Sequence, residues 1–136
     1  MAEVRVTQEL SSPAEVVWAL IGDFGALHRW HPAVRGLDLS WEGRIRTLHF
    51  ADGTRAVERL ETRNDAAHRY AYAWVDGPLP VRGYHATLQV SARRRGCTVT
   101  WSCVFEPADA DEHDVHDALH RHYAEGLTAL ALALVS

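Results

Sequence analysis

Polar and apolar positions alternate from the start of the chain. Val4, Val6, Gln8 and Leu10 stand against Arg5, Thr7 and Glu9, which predicts a half-buried strand over residues 3–10. Ser12-Pro13-Ala14-Glu15 then predicts a helix start. Ser12 is the expected cap, Pro13 the first helical residue, and Glu15 the completion of a capping box. The helix runs through Val16, Val17, Trp18, Leu20 and Ile21 to a stop at Gly22. Residues 24–30 suit a second short helix, ended by His31-Pro32 because the residue before a proline is biased away from helix.

A series of strands follows. Residues 36–41 form one, bounded by Glu42-Gly43. Residues 44–50 and 54–62 form a hairpin around Ala51-Asp52-Gly53. Residues 68–75 place His68, Tyr70, Tyr72 and Trp74 on one face. After the loop Asp76-Gly77-Pro78-Leu79-Pro80, residues 81–92 place Tyr84, Ala86, Leu88 and Val90 together. Arg93-Arg94-Arg95-Gly96 is a turn. Residues 97–105 then point Val99, Trp101, Cys103 and Phe105 inward and Thr98, Thr100 and Ser102 outward. Residues 107–111 are a linker, and the rest, to Val135, reads as one long helix. An unbroken run of strands favours antiparallel meander pairing, since parallel pairs need crossovers. The fold class expected is α+β: a curved antiparallel sheet of about seven strands around a long C-terminal helix, with two short helices after the first strand.

Composition narrows the function. The chain has 136 residues, which is one domain's worth, and residues 1–136 are read as a single domain. Its 14 basic residues are all Arg, so a Lys Schiff base and a P-loop lysine are excluded. A net charge of −4 argues against nucleic acid as a partner. The N-terminus has charges at once and no apolar h-region, so no signal peptide is expected. The apolar stretch over residues 127–135 is too short to insert into a membrane. Cys97 and Cys103 stand six residues apart in one strand, about 20 Å and too far to bridge. They read as buried thiols of a reducing compartment, and the expected location is cytoplasmic. Protonating all nine His would carry the charge from −4 to +5, so a response to pH between about 5 and 7 is expected.

The hairpin carries the first chemistry. Inward parity is marked by Leu48 and Phe50 in one strand and by Ala56 and Leu60 in the other; Arg46 and Glu58 share those parities. A three-residue Ala51-Asp52-Gly53 loop with Gly53 in the left-handed region sets Phe50 opposite Thr54 and Arg46 opposite Glu58. A two-residue turn would spoil the match of faces. The expected result is an ion pair on the concave face, either a register-setting structural pair or a polar anchor for a ligand carboxylate, phenol or carbonyl, with Glu58 as acid or base.

The order of elements, with Ser12-Pro13-Ala14-Glu15-Val16-Val17-Trp18, Asp23-Phe24, Trp30-His31-Pro32, Gly43 with Arg46, Asp52-Gly53, Glu58-Arg59-Leu60, Tyr72, Gly77-Pro78-Leu79-Pro80-Val81 and Trp101, resembles the helix-grip superfamily. That superfamily includes START domains, birch-pollen-allergen-like proteins and the bacterial polyketide cyclase/dehydrase and lipid-transport (SRPBCC) proteins. The resemblance covers nearly the whole chain. It implies a sheet gripping a C-terminal helix over a deep hydrophobic pocket, and a small hydrophobic, aromatic or polyketide-like ligand. Members of the superfamily bind lipids, hormones and flavonoids, and only some catalyse, so the fold alone does not settle function. Two readings stay open: a cyclase, aromatase or dehydratase, and a carrier or sensor without chemistry. A weaker third is an accessory subunit whose helix end, Leu132 and Val135, contacts a partner.

In the enzyme reading Glu58, His31, Arg46 and Tyr72 orient carbonyls and move protons. The expected ligand contacts are Trp30, Arg46, Glu58, Tyr72, Leu79, Pro80, Tyr84 and Trp101. The 77–80 loop is similar to the Leu-Pro gate loops of plant hormone receptors in the superfamily. His116 and His120 share a helix face, but no third ligand stands in position and the segment reads as solvated, so no metal is expected. No Ser-His-Asp motif, nucleotide loop or zinc signature occurs, and no cofactor is called for. The protein is expected to be a monomer or homodimer.

Overall fold

Seven strands form on the alternating segments, and one helix covers the apolar face they create. The computed structural model describes residues 1–135. β1 (Ala2–Leu10) leads to α1 (Ala14–Ile21) and a short 3-10 segment (Phe24–Arg29). β2 (Val34–Ser40), β3 (Ile45–Phe50), β4 (Arg55–Asn64), β5 (Arg69–Asp76), β6 (Val81–Ala92) and β7 (Cys97–Pro107) follow, and α2 (Glu112–Leu134) ends the chain. The strands pair antiparallel throughout, in the order β1-β7-β6-β5-β4-β3-β2. The α+β helix-grip fold is therefore the observed one.

Register slips at Val57/Glu58 and Leu60/Thr62 in β4, and at Arg82/His85 in β6, bend the sheet toward the helix. Val115, Leu119, Tyr123, Leu127 and Leu130 of α2 repeat at helical spacing and are buried against it. Asp111 caps α2 by accepting hydrogen bonds from the backbone N–H groups of His113 and Asp114. The concave side is filled with large rings: Trp101, Tyr70, Tyr72, Tyr123 and Phe105 are each at most 1% exposed. The two thiols of β7 are free and buried. No helix among the described residues is long and apolar enough to cross a membrane.

Two local expectations need correction. Pro13 is the N-cap of α1, not its first helical residue, and no side chain caps the helix. Ser12 falls one position too early to reach the first free N–H groups, while the Pro13 carbonyl accepts from Val16 and Val17 at 3.1 Å each. His68 is not in a strand. It sits in the turn before β5 at φ 52°, and its ring stacks on Trp18 at 5.6 Å.

Gly126 shows how closely α2 approaches the sheet layer. A Cβ there would lie 2.5 Å from Cδ2 of His31 and 3.1 Å from Cζ3 of Trp101. Gly126→Ala gains helix propensity but must displace a packed imidazole, and overpacking costs about 1–3 kcal/mol. The melting temperature is expected to fall by roughly 3–8 °C. An unchanged or raised melting temperature in a thermal scan would show that His31 yields freely.

Candidate functional site

The β3–β4 hairpin builds the centre of the site. Gly53 adopts φ 89°, Gly53 N–H donates to the Phe50 carbonyl, and Phe50 N–H donates to the Thr54 carbonyl at 2.9 Å. Asp52 Oδ1 accepts from both the backbone N–H and the hydroxyl of Thr54, which fixes the three-residue turn. This register sets Arg46 opposite Glu58.

Arg46 is fully buried and Glu58 is 5% exposed. Nε of Arg46 donates to Oε1 of Glu58 at 2.8 Å. Nη2 lies 2.8 Å from that same oxygen but off the line of a hydrogen bond. Nη1 donates to the Phe24 carbonyl at 3.0 Å and the Tyr70 hydroxyl at 3.3 Å. The guanidinium also lies against two rings, 4.1 Å from the centroid of Phe24 and 4.7 Å from that of Tyr72. Burial opposes its charge, but Tyr70, Glu58 and Tyr72 around it raise its pKa, and it stays a cation. Glu58 is held above the ordinary carboxyl range by burial, against the pull of Arg46. Only Oε1 is engaged: Oε2 has no hydrogen-bond partner among the described residues.

Glu58 borders a cavity of about 200 Å³ between the sheet and α2. Leu48 and Phe50 of β3 and Trp74 of β5 line it with Tyr84 of β6. Ala118, Leu119 and His122 of α2 face it, and Thr54, Pro78 and Leu79 close its mouth. The volume lies below the roughly 300–1,000 Å³ of sites that bury drug-sized ligands. The deep pocket implied by the resemblance is therefore largely occupied by the chain's own rings.

The sequence-predicted residues divide accordingly. Glu58, Leu79 and Tyr84 line the cavity. Arg46 stands behind Glu58 and meets the cavity only through it. Tyr72 accepts a hydrogen bond from Nε1 of Trp101 at 3.0 Å, and Trp101 stacks on Tyr123 at 4.4 Å, so both belong to the packed layer beneath. Trp30 packs on Trp101 with centroids 5.5 Å apart. Pro80 is exposed beyond the mouth, where its carbonyl accepts from Ala108 N–H at 2.8 Å. The Tyr84 hydroxyl is joined to that of Tyr123 by a short hydrogen bond. Burial pushes the hydroxyls of Tyr72, Tyr84 and Tyr123 well above the usual phenol value, so all three are neutral.

His31 is 1% exposed and has both ring nitrogens occupied. Nε2–H donates to the His122 carbonyl at 2.7 Å, since a carbonyl only accepts, and Nδ1 accepts from Ala33 N–H at 3.1 Å. This fixes one neutral tautomer, and burial lowers the pKa of the ring. A proton taken up at Nδ1 would expel the Ala33 bond. His31 is thus a tie between the chain after the 3-10 segment and α2, away from the cavity.

His122 is the site residue that sequence reasoning assigned no role. Its ring stacks on His31 at 4.2 Å and faces the cavity, with no hydrogen bond to either nitrogen among the described residues. Burial, then His31 and Arg46, lower its pKa to about 3, so the imidazole is neutral. Its position three residues after Leu119 and beside Tyr123, at the edge of the buried stripe, is the signal that turns it toward the sheet.

Leu79 is half-buried against the core, in a loop tied by Gly77 N–H to Asp76 Oδ1 at 2.9 Å, by Val81 N–H to the Leu79 carbonyl at 3.0 Å and by Ala108 N–H to the Pro80 carbonyl at 2.8 Å. Leu79→Ala removes an apolar contact at the mouth worth about 1–2 kcal/mol. We expect a bound dye to leave roughly 5- to 30-fold faster, with the melting temperature within a few degrees of the parent's. A sharply lowered melting temperature with an unchanged off-rate would make Leu79 a core residue and the loop a plain turn.

The model of a family described as "Polyketide cyclase / dehydrase and lipid transport" matches residues 1–135. Among solved structures, the protein XoxI from Bacillus cereus is similar at 35% identity and a TM-score of 0.96, covering 100% of this chain and 97% of its own. A protein from Thermobifida fusca is 36% identical with a TM-score of 0.80, over 96% of this chain and 91% of that one. The Zhui aromatase/cyclase from Streptomyces sp. R1128 shares the fold at 16% identity and a TM-score of 0.79, over 96% and 91%. No protein of curated function matches the chain.

Proposed function

Because this chain belongs to the polyketide cyclase/dehydrase and lipid-transport family, we propose that the space between its sheet and α2 is a binding site for a small, mostly apolar, aromatic or polyketide-like molecule. The observation that carries this reading is Glu58, which has one carboxylate oxygen without a hydrogen bond among the described residues and borders a cavity walled mainly by apolar and aromatic side chains such as Leu48, Phe50, Trp74, Tyr84 and Leu119. An apolar enclosure with one or two convergent polar groups is the usual form of a small-molecule site. Residues 1–136 act as one ligand-binding domain in this reading, in the cytoplasm, as a monomer or homodimer.

Catalysis of a cyclisation, aromatisation or dehydration is the second reading, and one observation favours it. Glu58 combines a raised pKa with a free oxygen at the cavity, which suits exchange of a proton with a bound molecule. Of the four residues considered for chemistry, only Glu58 borders the cavity. Arg46 would hold and tune it, while Tyr72 and His31 would act as packing and tie.

The binding reading is tested by an environment-sensitive hydrophobic dye and by native mass spectrometry of freshly purified protein. Native protein is expected to bind the dye saturably, one to one, at micromolar strength, which corresponds to about 8 kcal/mol. A co-purified ligand would appear as a mass added to the chain. If native protein binds no dye while heat-destabilised protein does, the cavity is closed core and the reading fails.

A further inference from the structure

We infer that the cavity selects a small neutral ligand of one or two rings that carries a hydroxyl, donated to Oε2 of Glu58, and that it rejects carboxylates. This rests on the reading of the cavity as a binding site and narrows its ligand by size, charge and hydrogen-bond sense.

Size comes from the packed layer. With Tyr72, Trp101 and Tyr123 filling the inner half of the concave face, about 200 Å³ remains. A cavity of about 150 Å³ lined by apolar side chains holds benzene, so this one takes one or two fused rings. Phe50, Trp74 and Tyr84 offer edges and faces to such a ring.

Charge comes from how Arg46 is used. An arginine in a pocket ordinarily suggests an anionic ligand. Here the guanidinium does not line the cavity. Nε is spent on Glu58, Nη1 on the Phe24 carbonyl and Tyr70, and Nη2 lies against Oε1. What the cavity meets is the carboxylate. Oε1 is neutralised from behind and Oε2 is bare, so a ligand carboxylate would face an acceptor with nothing to donate to it. A strongly cationic ligand is disfavoured as well, because the Glu58 charge is already balanced by Arg46.

Hydrogen-bond sense follows from the same groups. Oε2 accepts, so the ligand must donate. A second group at the cavity without a hydrogen bond among the described residues is the His122 imidazole. Being neutral, it offers one N–H and one lone pair, which complements a second hydroxyl or a carbonyl on the same ring system. The Tyr84 hydroxyl is already bonded to Tyr123, and the indole N–H of Trp74, the remaining polar ring atom of a lining residue, has no hydrogen-bond partner among the described residues. Hydroxylated one- and two-ring aromatics satisfy all three conditions, and a phenol satisfies them with the fewest atoms.

The test uses naphthalene, 2-naphthol, 2-naphthamide and 2-naphthoate as probes on the full chain, by fluorescence titration or dye displacement at pH 7.5. A hydrogen bond to a buried charged acceptor predicts that 2-naphthol binds about 10- to 100-fold tighter than naphthalene. The carboxylate should bind at least about tenfold more weakly than the amide, which matches it in size and lacks its charge. In the double variant Arg46→Met/Glu58→Leu the advantage of 2-naphthol over naphthalene should vanish while naphthalene binding stays within a few-fold. His122→Phe, which leaves the ion pair in place, should reduce the affinity of 2-naphthamide several-fold and that of naphthalene hardly at all. It serves also if the double variant does not fold. If 2-naphthoate binds as tightly as 2-naphthol, the guanidinium is the anchor and the inference is overturned. The same follows if naphthalene equals 2-naphthol, although the cavity would then stand as a binding site. Binding of none of the four overturns the binding reading itself, and the inference with it.

Discussion

Removing either partner of the Arg46–Glu58 pair is expected to destabilise the protein by about 3–5 kcal/mol, and removing both with matched apolar residues by much less. The pair is buried, so each single substitution strands a charge or a set of donors in the core. The two single variants should nevertheless behave differently. Glu58→Leu leaves a guanidinium that cannot lose its proton at any accessible pH. Arg46→Met leaves a carboxyl whose pKa burial already raises, and without Arg46 it rises further. Such a carboxyl escapes the penalty by binding a proton. The sign follows from linkage. A folded-state pKa above the unfolded value means that the native state holds more protons in the window between the two. Stability then falls as pH rises from about 4.5 through the folded value. Arg46→Met should therefore be markedly more stable at pH 5 than at pH 8 relative to the parent. The penalty in Glu58→Leu should be nearly constant over that range. Urea unfolding of the parent, both single variants and the double variant at the two pH values provides the measurement. Additive losses in the cycle would mean that the two side chains are not coupled.

The second large effect is acid destabilisation centred on His31 and His122. Both imidazoles are neutral in the fold and stack at 4.2 Å, where two positive charges cannot coexist. His31 also holds Ala33 N–H with the nitrogen that would take the proton. Both folded-state pKa values lie below the unfolded value of about 6.5, that of His122 at about 3. In that window the unfolded chain binds more protons. The contribution is thus complete above about pH 6.5 and is lost as pH falls toward 3. Each imidazole kept neutral contributes a limiting slope of about 1.4 kcal/mol per pH unit. Between pH 6.5 and 4.5 His122 alone is expected to cost about 2 kcal/mol, with His31 adding in the same direction, against the roughly 5–15 kcal/mol that holds such a domain together. Glu58 acts in the opposite sense just above pH 4.5 and trims the loss there. His122→Phe keeps the stacking on His31 and removes one titrating group. Its plot of unfolding free energy against pH should be shallower than the parent's by up to one proton's slope. A parent curve that is flat from pH 7.5 to 5, or an identical slope in the variant, would show that neither ring is held neutral.

Much of the ion pair was legible because it depends on two local quantities. Side-chain parity fixes which face a residue takes, and loop length fixes which residues meet. Leu48, Phe50, Ala56 and Leu60 mark the parity, and Asp52-Gly53 marks the turn, so Arg46 had to meet Glu58 once the faces were matched. The cap at Ser12 was misplaced by one residue because helix boundaries rest on a single backbone torsion, and Pro13 suits either side of it. The step of His122 with Leu119, Gly126, Leu127 and Leu130 turns it toward the sheet, but the polar first half of α2 gave no reason to assign it a ligand.

The sequence by itself determined the order of elements, the antiparallel sheet, the buried rings and the pairing of Arg46 with Glu58. Each of these follows from periodicity, turn chemistry and face parity, which act over a few residues or across one hairpin. It did not determine which inward residues line a cavity and which fill it. Tyr72, Tyr84, Trp101 and Glu58 all point to the concave side with the same parity. Whether each ends on another side chain or on open space depends on where α2 lies. Gly126 lets the helix approach His31, Tyr123 then lies flat on Trp101, and the Trp101 N–H closes on Tyr72. Those contacts join residues tens of positions apart and are decided by volume, which no local pattern encodes. The space left over, bordered by Glu58 and His122, exists because of where those contacts put the helix.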